Sequence, residues 1–215
     1  MERKLKVLLF NGSPNKNGCT YTALEEIAKI LEEENIDTTI YHVGNDAIAS
    51  CKACGSCINL GKCVIKDSVN DFVELAKEHD GFIIGSPVHY ASSSGATISF
   101  LDRAFYSAFR SGRGYIFNHK PGAAIASARR AGTTTTLDQL NKYFTINQMI
   151  LVSGRYWNMV HGKTPDEVKQ DLEGMQNMRF LARNLAWTLK CIENAKKLGI
   201  NPPTQENVIM TNFIK

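Results

Sequence analysis

Apolar and polar positions along this chain fall into two alternating kinds of segment. The first kind is short and unbroken: Val7-Leu8-Leu9-Phe10, Phe82-Ile83-Ile84 and Ala123-Ala124-Ile125-Ala126. Runs of that length predict strands buried on both faces. The second kind repeats every 3.6 residues. Beyond Tyr21, Leu24, Ile27, Ala28 and Leu31 share one face, with Glu25, Glu32 and Glu33 opposite, which predicts an amphipathic helix. A short second strand is expected at 38–42. A helix should follow at 69–78, with Ser68 and Asp71 resembling a capping box. The third strand is expected at 81–86, a long loop at 87–95, and then a helix carrying Phe100, Leu101, Ala104 and Phe105. The fourth strand runs from Pro121 to Ala126 and ends in an Ala-Arg-Arg-Ala-Gly loop and four threonines. A helix is expected at 137–144 and a fifth strand at 149–152. Thr164-Pro165-Asp166-Glu167 combines an N-cap threonine, proline at N1 and glutamate at N3, so a last helix should run to Leu198 and stop at Gly199.

Strands alternating with helices predict an α/β fold: a doubly wound, five-stranded parallel sheet with helices on both faces. Ligands in such sheets sit outside the carboxyl ends of the strands, where strand order reverses. The polar, glycine-rich loops here follow the first, third and fourth strands. The loop between the first strand and helix, Asn11-Gly12-Ser13-Pro14 through Gly18-Cys19-Thr20, is rich in small hydroxyl and amide side chains. A loop of this kind aims backbone N–H groups at one spot, and the helix dipole favours an anion there. It lacks the Gly-Lys-Ser/Thr ending of a Walker loop, and Gly12 and Gly18 are too far apart for a dinucleotide fingerprint. A flavin mononucleotide phosphate suits it; an ordinary strand–turn–helix connection is the alternative.

Composition narrows the setting. The chain has 215 residues, 43% hydrophobic and 21% charged, enough for one sizeable core. A net charge of +4 with scattered basic residues does not point to nucleic acid. There is no apolar run of membrane-spanning length and no signal-like start, so a cytoplasmic protein is expected. In that compartment six cysteines argue for metal or redox chemistry over disulfides.

GSPNKNGCT resembles the GSPR-x-x-GNT loop of the flavodoxin-like NADPH-dependent FMN reductase family, departing from it at Asn15 and Cys19. SPVHYASSSGATISFLDR, residues 86–103, is similar to the family's SPVYW-x-x-x-SG-x-x-K-x-FLDR segment, with His89 for tyrosine and Ser99 for lysine. KPGAAIASARRAGTTTTLDQLNKYF resembles a subgroup of the same family. The resemblance implies an FMN phosphate on Ser13, Asn15, Gly18, Cys19 and Thr20. It places the isoalloxazine against Pro87, Val88, His89 and Tyr90, with Ser94 and Gly95 of the cofactor site starting the helix behind it. Ala128, Arg129, Arg130 and Gly132 then line the pyrimidine side, where positive charge and N–H donors stabilise the reduced ring. The Arg pair alone would read as a solvated surface loop. GRYWNMVHG, residues 154–162, also matches the subgroup, as a lid or a subunit contact.

Cys51, Cys54, Cys57 and Cys63 form C-x2-C-x2-C-x5-C. Three thiols at every third residue closed by a fourth give a ligand order that a cubane can wrap into, although bacterial ferredoxins have three residues before the last cysteine and a proline after it. Zinc takes two separated pairs, a poorer match. The spacing resembles the iron–sulfur flavoproteins, relatives on the same fold with a [4Fe–4S] cluster beside FMN; a loop of free or redox-active thiols is the other reading. Cys191 is expected to be a small core residue.

The expectation is therefore one FMN-binding domain over 1–200, with a cysteine-rich insertion at 46–67 and a tail at 201–215 that crosses a neighbouring subunit. It would be an FMN-dependent oxidoreductase or electron-transfer flavoprotein with an iron–sulfur cluster. The rivals are a cluster-free NAD(P)H-dependent FMN, quinone or nitro/azo reductase and a non-catalytic carrier like flavodoxin. A reduced nicotinamide or a protein would donate electrons, a small molecule or a protein would accept them, and the assembly would be a homodimer or homotetramer. No general acid or nucleophile is called for.

Overall fold

The computed structural model describes residues 3–207, 209, 211 and 213. Strands are β1 (Lys6–Asn11), β2 (Asp37–His42), β3 (Gly81–His89), β4 (Ser92–Ser93), β5 (Pro121–Ala128), β6 (Ile150–Leu151) and β7 (Met159–His161). Helices are α1 (Cys19–Glu33), α2 (Cys57–Leu60), α3 (Ser68–Ala76), α4 (Gly95–Arg110), α5 (Thr133–Ile146), α6 (Pro165–Gln170) and α7 (Leu172–Lys197). The main sheet has the order β2-β1-β3-β5-β6, and every pairing along that path is parallel. Strand order reverses between β1 and β3, the position where doubly wound sheets open a crevice.

The period of two along each strand divides the interior. Val7 and Leu9 of β1 join Ile83 and Ile125 in a core closed by α1 and α7. Leu8 and Phe10 join Phe82 and Ile84 in a second core closed by α3, α4 and α5. At the centre of the second core Phe10 meets Phe72 edge-on at 5.6 Å and Phe100 at 4.8 Å between ring centroids. Truncating a buried phenylalanine of this kind typically costs about 3–5 kcal/mol.

The elements differ from the sequence expectations in identifiable ways. Strand β3 runs on to His89 and turns back through Tyr90 and Ala91, both at positive φ (49° and 60°), to pair antiparallel with Ser92–Ser93. Two consecutive left-handed residues are the requirement of a tight hairpin, so the expected loop at 87–95 is largely a β-ribbon. Helix α3 is capped by Asp67, whose side chain accepts from the Val69 N–H, and not by a Ser68–Asp71 box. Helix α5 begins at Thr133, taking in the four threonines, because Thr133 and Thr136 are buried against the sheet. The fifth strand shrinks to β6, and β7 continues along the same edge of β5. The last helix breaks at Asp171 (ψ 77°), which caps the Gly174 N–H and also accepts from the His161 N–H. Gly199, at φ 78°, ends α7 as expected. Cys191 is exposed, not a core residue. The tail expected at 201–215 carries no helix or strand over its described residues, and the rest of it lies outside them.

Candidate functional site

The loop after β1 is held as a compact cradle by its own polar groups. Asn11 accepts from the Ser13 N–H through Oδ1 and donates to the Lys16 carbonyl through Nδ2. Ser13 Oγ accepts from the Asn15 N–H, and the Ser13 carbonyl bonds the His42 ring at 2.8 Å. The Gly18 N–H returns to the Asn15 carbonyl. Gly12 is demanded by close approach, since a Cβ there would lie 2.0 Å from Thr97 Oγ1 and 2.9 Å from the Gly85 carbonyl. The backbone at Gly12 is instead gripped from α4, its carbonyl accepting from Ser94 Oγ and Thr97 Oγ1. Ser94 thus caps α4 and ties the first loop to the third strand, where its N–H meets Ser86 Oγ.

The residues singled out from sequence on this loop divide by orientation. Asn15 is exposed and Gly18 is half-buried at the N-cap of α1. Thr20 is buried, its hydroxyl bonded to Ser127 Oγ at 2.8 Å, so it fastens α1 to β5. Cys19 Sγ points to the Gly162 carbonyl, and burial raises its thiol pKa. What the loop offers outward is backbone N–H groups at the start of a 15-residue helix.

The other two loops close in from the same edge. Pro87 and Val88 are half-buried, His89 and Tyr90 are exposed at the hairpin tip, and Gly95 opens α4 with free space where a Cβ would stand. Gln139 of α5 holds the hairpin by accepting from Ser92 Oγ and the Ser93 N–H. Ala128 is buried at the end of β5, while Arg129 and Arg130 are exposed. Gly132 sits at φ 97°, and a Cβ on it would strike Ala91 Cα at 2.6 Å and Val88 Cγ1 at 2.7 Å. The third loop therefore packs directly on the hairpin. His161 was not singled out from sequence, yet its Nε2 bonds the Arg130 carbonyl at 3.0 Å and its backbone is held by Asp171. The signal was the 154–162 segment, whose tip is pinned by the buried Asn177 through the Arg155 and Tyr156 N–H groups and the Tyr156 and Trp157 carbonyls.

Two helices that start on this edge, α1 and α5, have no side-chain cap and no acidic residue in the first turn. The other long helices, α3, α4 and α7, carry capping side chains from Asp67, Ser94 and Asp171. Uncapped helix starts leave N–H donors and a positive dipole end for an anionic ligand. With a hydroxyl-rich loop beneath one and an Arg pair beside the other, this edge fits a flavin with a terminal phosphate.

The cysteine segment follows β2 and lies apart from those loops, against α4. Cys51, Cys54, Cys57 and Cys63 all line one narrow recess, with Arg103 and Tyr106 of α4 on its wall. Cys57 is buried, Cys63 half-buried, and Cys51 and Cys54 exposed. Burial pushes the Cys57 thiol up, helped by its three neighbouring sulfurs, while hydrogen bonds from Ser56 draw the Cys54 thiol down. Asn70 staples the segment by accepting from the Cys63 N–H and donating to the Cys63 and Ile65 carbonyls. Among the described residues, no three His, Cys, Asp or Glu side chains converge as the ligands of one metal ion do. A cubane asks for something different, one thiolate at each of four separate corners. An all-thiol set sharing a recess fits that group better than it fits zinc. A second, mostly apolar recess of about 500 Å³ adjoins it, sharing Cys51 and walled by Phe105, Tyr106, Phe109, Tyr143 and Ile146.

Comparison with known proteins agrees with this arrangement. Residues 5–164 match the NADPH-dependent FMN reductase family. An iron–sulfur flavoprotein of Methanocaldococcus jannaschii is 32% identical over 196 residues, covering 88% of this chain and 100% of the relative. An iron–sulfur flavoprotein of Methanosarcina thermophila is 26% identical over 191 residues, covering 88% of this chain and 97% of the relative. Among solved structures, a flavodoxin WrbA-like protein of Agrobacterium tumefaciens superposes with a TM-score of 0.62 at 15% identity, over 88% of this chain and 99% of that one. Flavodoxin-type sheet, convergent polar loops and relatives along nearly the whole length make one case: the chain belongs to the NADPH-dependent FMN reductase family, in its iron–sulfur flavoprotein subgroup, and is an FMN-dependent oxidoreductase or electron-transfer flavoprotein.

Proposed function

We propose that the protein moves electrons between a reduced nicotinamide or protein donor and a small-molecule or protein acceptor, using FMN and a [4Fe–4S] cluster. The observation that carries the reading is the pair of uncapped helix starts, α1 and α5, on the edge where three polar loops meet. Ser13, Asn15, Gly18, Cys19 and Thr20 form the phosphate cradle, the last two through their backbone N–H groups. Pro87, Val88, His89, Tyr90, Ser94 and Gly95 support the ring, and Ala128, Arg129, Arg130 and Gly132 border its pyrimidine side. Cys51, Cys54, Cys57 and Cys63 hold the cluster.

Bound flavin exchanges two electrons with a hydride donor, and a bound cubane exchanges one at a time with its partner. The chain's own residues bind and orient. Ser94 and Thr97 lock the phosphate loop against β3, and Gln139 fixes the hairpin height over α5. The exposed guanidinium groups of Arg129 and Arg130 offer positive charge to the ring edge. Two copies meeting over the aromatic recess beside Cys51 would shield the cysteine segment; the exposed Phe109 and Ile146 on its rim support that contact.

Anaerobic purification followed by flavin, iron and acid-labile sulfide assays tests the cofactor set. FMN with about four irons and four sulfides per chain is expected; FAD, or no flavin after reconstitution, refutes the flavin site. Flavin without iron after anaerobic reconstitution refutes the cluster alone. Oxidation of NADH or NADPH with a quinone or a one-electron acceptor decides the donor; no turnover with either nicotinamide moves the donor to a protein.

A further inference from the structure

We infer that Arg103 is a positioning residue that sets the reduction potential at the four-cysteine site through an N–H bond to the Cys63 sulfur. This rests on the cluster reading proposed above. Arg103, on the third turn of α4, is 1% exposed although it is charged. Its Nε donates to Cys63 Sγ at 3.3 Å. Its two terminal nitrogens clasp Asp67 at 2.5 and 2.7 Å and reach the Ala49 and Ile65 carbonyls at 3.3 Å each. All five guanidinium donors are therefore spent within the cysteine segment and its exit. Four of the five shape the backbone or balance charge. The fifth is aimed at a sulfur that the segment's spacing marks as a ligand.

A buried guanidinium could serve as a loop organiser only, and the four oxygen contacts suit that role. The sulfur contact adds electrostatics. Reduction places one further negative charge on a cluster and its thiolates, and donors on sulfur with positive charge nearby stabilise that form. Arg103 raises the potential by this argument. Asp67, its carboxylate held against the same guanidinium, opposes it.

The two residues give opposite signs, which a purely architectural role does not. Arg103→Lys keeps a charge but lacks a planar fork able to serve Cys63 and Asp67 together. Asp67→Asn removes the countercharge, and asparagine is an equally good cap for α3. The anaerobic protein with its cofactors is titrated with dithionite, which supplies the one electron, and the cluster is followed by electron paramagnetic resonance. The flavin potential is read in the same sample as an internal control. Arg103→Lys should make cluster reduction about tenfold less favourable, a fall of about 59 mV for one electron. Asp67→Asn should shift it in the opposite direction, with the flavin potential unmoved in both. An unchanged cluster potential in Arg103→Lys, or a fall in Asp67→Asn, overturns the inference while leaving the cluster reading intact. If Arg103→Lys does not assemble, the sign in Asp67→Asn decides. Wild-type protein without iron removes the cluster reading, and the inference goes with it.

Discussion

Replacing Gly12 by alanine should damage the phosphate loop without touching any group that faces the ligand. The added methyl would sit 2.0 Å from Thr97 Oγ1, 2.9 Å from the Gly85 carbonyl and 3.1 Å from Phe10 Cε1. The hydroxyl can swing away, but then Thr97 no longer bonds the Gly12 carbonyl, and Ser94 must follow because its Oγ is hydrogen-bonded to Thr97 Oγ1 at 2.8 Å. Two buried hydrogen bonds at about 1 kcal/mol each, with about 1–3 kcal/mol of overpacking, give a cost of about 3–5 kcal/mol. For a chain of this size each kcal/mol moves Tm by roughly 2–4 °C, so a fall of about 10 °C is expected in the apo protein by circular dichroism. FMN affinity, measured by fluorescence quenching, should fall at least about tenfold, equivalent to 1.4 kcal/mol. Thr97→Ala in the same chain removes the colliding oxygen. The double variant should therefore be more stable than the sum of the singles by roughly 1 kcal/mol, the coupling of residues in contact. Wild-type Tm and affinity in Gly12→Ala, or strict additivity in the double variant, would refute the reasoning.

Three further outcomes are expected. Arg129→Ala and Arg130→Ala should lower the flavin potential or weaken FMN binding while leaving apo unfolding within about 0.5 kcal/mol of wild type, as for exposed sites in general; unchanged potential and affinity in both would make the pair surface decoration. Cys57→Ser should abolish iron and sulfide yet keep FMN, whereas Cys19→Ser, whose sulfur faces Gly162, should keep both; loss of flavin from Cys57→Ser would show the two sites to be coupled. Burial lowers Lys120 from its usual value to about 8. The unfolded chain then binds more protons than the folded one between about pH 8 and 10.5, so its contribution to stability rises with pH across that window. Denaturant unfolding of Lys120→Met should lose that rise, and an unchanged slope would contradict the shift.

Much of the sheet was legible because fully buried parallel strands leave apolar runs that few other structures tolerate. The β1 and β3 runs and the 3.6-residue pattern of α1 place the first loop and most of the second without tertiary knowledge. The hairpin at 89–93 was hidden because its turn residues, Tyr90 and Ala91, lack the Asn or Gly that normally announces positive φ. Helix α5 swallowed its threonines because burial of Thr133 and Thr136 outweighs their local preference. The break at Asp171 depends on a partner ten residues back, the His161 N–H, which no local pattern reveals. At the site, cysteine spacing picked out four thiols that line one recess. Arg103 read only as part of a motif until α4 brought it beside Cys63.

The way the cysteine segment is attached has a bearing on how such a chain could arise. Its backbone hydrogen bonds are local turns, and its fastenings to the body include side chains reaching in from α3, α4 and the turn after α4: Asn70, Arg103 and Arg113. No strand of the sheet runs through it, and β2 and α3 on either side are tied to each other directly, Tyr41 donating its hydroxyl to the Ser68 carbonyl. A connection of this kind can be lengthened, shortened or exchanged by a few substitutions on two helices, because loop closure costs little per added residue. A flavin scaffold could thus gain or shed a four-cysteine segment as a unit, with the chemistry of that surface evolving faster than the fold that carries it.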